Sequence, residues 1–345
     1  METKLNYKRT FLIALAFLSI CSFWQMYDNI IPLILQNTYH LGETMTGAVM
    51  ALDNVLAIFL LPVFGALSDK VHTKLGRRMP FIVAGTILAV IFMMLLPMID
   101  NAEKARWNTG ESFSNQVIFL AVLFFTLVSM GLYRSPAVAL MPDVTPNHLR
   151  SRANAVINLM GAVGGVYALI MIKVLVGKGE TPDYLPLFAS IAAVMAIAVG
   201  ILVITIRENK LREEVEKAEA ANAGTIEEKA MAEGVEAAGE IEAVGDTGEI
   251  KSFDGKKQTG KTEGTKGMPK EVKRSMYFML ASIFLWFTAY NAVTTAFSRY
   301  TKVVWKMEGG SFANCLMVAT VAAILSYIPT VSYTHLRAHE TRGNL

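Results

Sequence analysis

Three ionisable residues stand in the middle of long apolar runs: Asp28 in FWQMYDNIIP, Asp53 in MALDNVLAI and Arg134 in GLYRSPAV. A charge in such surroundings is costly, so each marks a functional position by default. At helical spacing Trp24, Tyr27 and Asp28 share a face, which sets aromatic rings beside a carboxylate. That pairing suits a sugar, whose ring CH face stacks on an aromatic while its hydroxyls bond a carboxylate or an amide. Trp24, Tyr27, Asp28 and Arg134 are therefore substrate-binding candidates, and Asp53 and Asp28 are candidates for holding a coupling cation. The competing reading is a buried ionic cluster in which the two aspartates and Arg134 simply neutralise one another. Asn154 and Asn158, one helical turn apart, add amides that could reach sugar hydroxyls. Trp286, Tyr290 and Asn291 repeat the combination in a later run, where packing filler is the alternative role.

A second constellation lies between apolar runs, in GALSDKVHTKLGRRMPFI. A carboxylate at a helix end can accept from basic side chains and from a neighbouring helix N-terminus in one state and release them in another. Gly65, Asp69, Gly76, Arg77 and Arg78 are the candidates for such a conformational switch. Lys74 in the same loop reads as readily as a charge that only sets orientation.

The elements that carry these residues follow from the hydropathy. Of 345 residues, 53% are hydrophobic and 18% charged, and the mean hydropathy is +0.40, well above that of an ordinary soluble domain. A lipid bilayer is the implied solvent. Runs of about 20 apolar residues, the length needed to cross it, occur at 11–36, 44–67, 80–99, 116–141, 153–176, 185–206, 275–297 and 311–331. The two cysteines, Cys21 and Cys315, fall in apolar runs near opposite ends of the chain and imply no disulfide framework. Neither Gly-x-Ser-x-Gly nor His-Glu-x-x-His occurs, and no histidine lies deep in an apolar run, so an intramembrane enzyme is disfavoured. Nothing resembles a channel filter.

Charge divides the chain further. Residues 207–274 hold 13 basic and 16 acidic residues, so the positive excess belongs to the membrane part, where it sets orientation and does not point to nucleic acid. Lys4, Lys8 and Arg9, then Lys70, Lys74, Arg77 and Arg78, then Arg150 and Arg152 place the N-terminus and alternate loops in the cytoplasm. Asp100, Glu103, Lys104, Arg106 and Glu111 read as a balanced external loop, while Arg299, Lys302 and Lys306 argue the other way. The expected division is a six-helix half over 1–206, a cytoplasmic charged linker over 207–274, two further helices over 275–331 and a tail over 332–345. That tail, SYTHLRAHETRGNL, turns abruptly polar and reads as foreign to the native protein.

The loop GALSDKVHTKLGRRMPFI resembles the signature loop of the major facilitator superfamily, in a longer form found in the glycoside-pentoside-hexuronide:cation symporters and the sucrose transporters. The stretch YRSPAVALMPDVTPNHLRSRANAVINLMGAVGGV resembles the same branch, and the likeness runs through the first five spans. It implies an all-α membrane protein of the major facilitator fold, with a six-helix N-terminal half and the first two helices of the C-terminal half. A chain of eight spans would then be truncated. The implied function is uptake of a sugar or glycoside by alternating access, with H⁺ or Na⁺ as coupling ion and no other cofactor. Its partners would be a small-molecule sugar and the bilayer, and the carrier a monomer in the plasma membrane. The alternatives are a sensor on a transporter-like scaffold and a non-functional fragment.

Overall fold

A computed structural model describes residues 5–107, 115–179, 181–217, 219, 270–323 and 325–326. Among them all regular structure is helical apart from one isolated bridge between Thr73 and Gly76. The long helices are α1 (Tyr7–Asn37), α2 (Glu43–Lys70), α3 (Met79–Trp107), α4 (Gln116–Asp143), α5 (Arg150–Leu175), α6 (Leu185–Thr205) and α7 (Lys270–Val303). A shorter apolar helix, α8, spans Ala313–Ala323. The first seven are each long and apolar enough to cross a membrane. The chain forms two compact units, Met1–Ala218 with Thr294–Leu345, and Glu219–Val293.

In the first unit α1 is the central helix. It packs chiefly on α5 and α6, while α3 packs on α4 and α6, and α2 on α4. Ile13, Phe23, Met26, Tyr27, Ile30 and Ile34 of α1 are all but inaccessible. Helices held together in lipid gain little from hydrophobicity and rely on close packing by small residues. The α1–α5 crossing follows that rule: a methyl group on Gly164 would overlap the Leu18 carbonyl, and the Ser22 hydroxyl donates to the Gly164 carbonyl at 2.9 Å. By contrast α2 exposes Val55, Ile58, Phe59, Val63 and Leu67 along its length, an apolar surface at home against lipid or another helix.

The helix bounds correct one expectation. Asp100, Glu103, Lys104 and Arg106 do not form a loop, because α3 continues through them to Trp107. Helix persists there because the charges are satisfied locally. The Lys104 ammonium binds the fully buried Asp100 one turn earlier and the Pro182 carbonyl at 2.7 Å, and it lies over the Tyr184 ring. The neighbouring Glu103 accepts from the Asn115 amide. Burial, helped by the Asp100 charge, pushes the Tyr184 hydroxyl well above its usual pKa. Arg299 lies at this same end of the unit, 4.0 Å from Glu43 and 3.5 Å from Asn37.

The apolar run read from 275 begins earlier, since α7 starts at Lys270, and residues 208–217 form a helix directly after α6. The remainder of the 207–274 segment and the 332–345 tail lie outside the described residues, as does Glu111.

Candidate functional site

Inside the helix bundle, α1, α2 and α4 converge on a small cleft. It is lined by Trp24 of α1, by Asp53, Leu56, Ala57, Leu60 and Leu61 of α2, and by Leu127, Gly131 and Arg134 of α4. Three of the sequence candidates thus meet, although 110 residues separate Trp24 from Arg134. The Arg134 guanidinium lies over the Trp24 ring, 5.5 Å from its centroid, a cation–π contact that orders both groups. Asp53 accepts from the Asn54 side-chain amide at 2.9 Å. Asp53 and Arg134 line the same cleft, and among the described residues no ion pair joins Arg134 to Asp53 or Asp28. The cleft as it stands has room for about one water molecule.

Tyr27 stays beside Trp24, deeper in the bundle. Its ring is 1% exposed, stacked on Phe23 and set edge-on to Trp24, so it backs the tryptophan from inside the bundle. The Tyr27 hydroxyl, the Trp24 Nε1 and the Asn29 Oδ1 are buried without a hydrogen-bond partner among the described residues. Asn154 and Asn158 of α5 point to exposed positions, while Gly161 faces Cys21 of α1 and Gly165 faces Gln25. Trp286, Tyr290 and Asn291 belong to the second unit. There they are exposed on α7, with the Trp286 and Tyr290 rings stacked at 5.9 Å.

The loop between α2 and α3 is organised quite differently. Asp69, at the end of α2, pairs with Arg78 and lies 3.8 Å from Arg77. Asp143, the last residue of α4, binds both arginines, at 2.9 Å to Arg77 and 3.0 Å to Arg78. Arg78 is 6% exposed, and its guanidinium also donates to the Ser68 hydroxyl and the Gly65 carbonyl. Burial alone would loosen the Arg77 proton, but Asp143, Asp69 and Glu208 together hold it more firmly than usual. Arg150 closes the adjoining end of α4 by donating to the Pro142 and Thr145 carbonyls.

A further carboxylate completes this region. Glu208, just beyond α6 and 1% exposed, accepts from the backbone amides of Arg77, Arg78 and Met79 at 2.9–3.0 Å. It caps the N-terminus of α3, where a helix leaves amides unsatisfied and favours negative charge. Gly76 makes this possible: its φ is +128°, and a β-carbon there would overlap the Glu208 carboxylate.

The profile of the Major Facilitator Superfamily matches residues 7–338. The chain belongs to this superfamily. Part of it is also similar to plant sucrose transport proteins. It is 35% identical over 116 residues to sucrose transport protein SUC4 of Arabidopsis thaliana, a match covering 32% of the chain and 22% of that protein. It is 26% identical over 137 residues to SUT3 of Oryza sativa subsp. japonica, covering 37% and 27%. With SUT4 of Oryza sativa subsp. indica the figure is 24% over 151 residues, covering 41% and 25%. The chain therefore spans less than a third of each of these relatives. A multi-pass, all-α membrane protein of the major facilitator fold is what both the helices and the family match describe.

For this facilitator the switch-loop residues proposed from sequence come together around Arg78, and Trp24, Asp53 and Arg134 come together around the cleft. Sequence reasoning missed two members of the first group. Asp143 had a signal, an acidic residue before Pro146 at a helix end next to basic residues. Glu208 had almost none, being one of many acids in a charged segment.

Proposed function

We propose that the protein is a secondary transporter that moves a sugar or glycoside across the cell membrane by alternating access, driven by H⁺ or Na⁺. The carrying observation is the cleft among α1, α2 and α4, where Trp24, Arg134 and Asp53 meet, with Asp28 one turn beyond Trp24 on α1. An indole face and a guanidinium are suited to the CH face and the hydroxyls of a sugar. Two carboxylates in membrane-spanning helices, with no ion-pair partner among the described residues, need a proton or a metal cation to become tolerable in the membrane. Their energetics are thereby tied to ion occupancy, the basis of coupling. The cleft is smaller than a sugar, so binding on this reading requires the helices to part. The partial likeness to sucrose transport proteins supports the same substrate class.

Reconstitution into proteoliposomes tests the reading. Radiolabelled sucrose or a related glycoside should accumulate under an imposed pH or Na⁺ gradient and not without one. Absence of counterflow for every glycoside tried would remove the sugar assignment. The same reading places the N-terminus and the α2–α3 loop in the cytoplasm. A single cysteine in place of exposed Ala105 should then react with an impermeant maleimide in whole cells, and one in place of Lys74 should not.

A further inference from the structure

The charged segment that follows α6 reads from sequence as a solvated tether, yet its first turns are docked on the switch loop. The docking has three parts. Glu208 is sealed from solvent and spends its carboxylate on three successive amides at the start of α3. Next to it, the Asn209 side-chain amide donates to the Thr73 carbonyl at 2.9 Å and reaches the Lys74 carbonyl at 3.4 Å, holding the opposite arm of the same loop. Farther along the helix, Glu214 pairs with Arg9 at the start of α1 at 3.2 Å. The loop itself is closed by the Thr73–Gly76 bridge and by the Thr73 hydroxyl on the Gly76 carbonyl. Gly76 supplies both the backbone geometry and the space that Glu208 needs.

Bonds from backbone amides to an ionised carboxylate are among the stronger hydrogen bonds, and here they fix the main chain of the two residues whose side chains form the switch. With the main chain held in this way, Arg77 and Arg78 both reach Asp143, and Arg78 reaches Asp69. We propose that Glu208 is a positioning residue for the switch, and that the segment 208–217 governs it by docking on and leaving the loop. The segment is the last described part of the first unit before the second begins at Glu219, so a pull on the segment would act on the switch through these contacts. This rests on the transport reading above, and it touches neither ion nor sugar directly.

Two variants of the full chain in proteoliposomes test it, with hydrogen exchange as a readout independent of transport. Glu208→Gln should raise amide exchange at residues 77–79 by about tenfold or more while leaving the α1–α5 core protected. It should lower the maximal transport rate by about tenfold with KM within about twofold, and Glu208→Asp should recover part of that rate. The second variant pairs Lys74→Cys with Asn209→Cys. Oxidation to a disulfide should slow transport, reduction should restore it, and neither single-cysteine variant should respond. Faster exchange at 77–79 with an unchanged rate would make Glu208 a purely structural cap and overturn the proposal. So would a cross-linked protein that turns over at the parent rate, or unchanged exchange in Glu208→Gln. A parent that exchanges as described but carries no sugar would instead count against the transport reading. Thiol accessibility of the cleft, followed at a cysteine replacing Leu60, then reports switching: Glu208→Gln should change it at least about threefold, and no change would overturn the proposal.

Discussion

Arg78 meets carboxylates of Asp69 and Asp143 at the loop end of the first unit, and the α3 amides beside it meet Glu208; in the membrane interior Arg134 meets an indole ring, and Asp53 meets a neighbouring amide. The loop region pairs its charges within the protein, with Arg77 Nε, 3.8 Å from Asp69, left short of a hydrogen bond. Among the described residues the other leaves Trp24 Nε1 and the Tyr27 hydroxyl buried without hydrogen-bond partners, in a place where polar groups are hardest to bury. A latch must be stable in one state and so satisfies itself, whereas a binding site must gain something when its ligand arrives. Incomplete satisfaction in the cleft is therefore the more informative of the two patterns about function.

The largest expected effect would break the comparison at the cleft. Asp53→Asn removes a charge that a cation would neutralise, so uphill accumulation should fall to the equilibrium level while downhill exchange continues. Asp28→Asn should do the same and also weaken sugar binding, because Trp24 stands one turn away on the same helix. Both are read as accumulation ratio and KM in proteoliposomes. Accumulation by Asp53→Asn at the parent level would transfer coupling elsewhere.

Stability provides the next contrast. Arg78→Ala takes from Asp143 one of its two arginines, leaving it Arg77, and removes the donor to Ser68 and Gly65, and losing charge-assisted hydrogen bonds of this kind costs about 1.5–3 kcal/mol. Arg134→Ala removes a cation from a site with no ion pair and should cost clearly less. Thermal unfolding in detergent should rank the two in that order; the reverse order would mean that the cleft arginine is the structural one. Gly164→Val, which drives a side chain into the Leu18 backbone, should lower stability by about 1–3 kcal/mol without altering the charge contacts of either region.

How far these features could be read from sequence depends on what determined them. The helices were legible because the bilayer demands long apolar runs wherever it is crossed. The switch loop was legible because its arginines and Asp69 lie within ten residues of one another. The depth of Tyr27 was not legible, because it is set by the packing of Phe23 against Trp24 and Tyr27, which the spacing does not encode. The end of α3 was misread because Lys104 and Asp100 look like loop charges until they are seen to pair along a helix. Glu208 was invisible for a simpler reason: its partners are about 130 residues away, and its sequence neighbours are charged as well.

The smallest effects sharpen the comparison within the loop itself. Asp69 is half exposed and shares Arg78 with Asp143, so Asp69→Asn leaves the arginine one carboxylate. The loss is that of a partly exposed ion pair, at most about 1 kcal/mol, or roughly fivefold in a rate. Because the loop lies at the end of the helices, remote from the cleft, the loss should fall on turnover and leave KM unchanged. Lys74 is exposed, and the contact recorded for it uses its backbone carbonyl, which Asn209 approaches. Lys74→Gln keeps that carbonyl and should therefore leave turnover within about twofold of the parent. Uptake measured across a range of sugar concentrations separates the cases. A Lys74→Gln variant slowed as much as Asp69→Asn would mean that the total charge of the loop matters, and not the particular pairing of Arg77 and Arg78 with two aspartates.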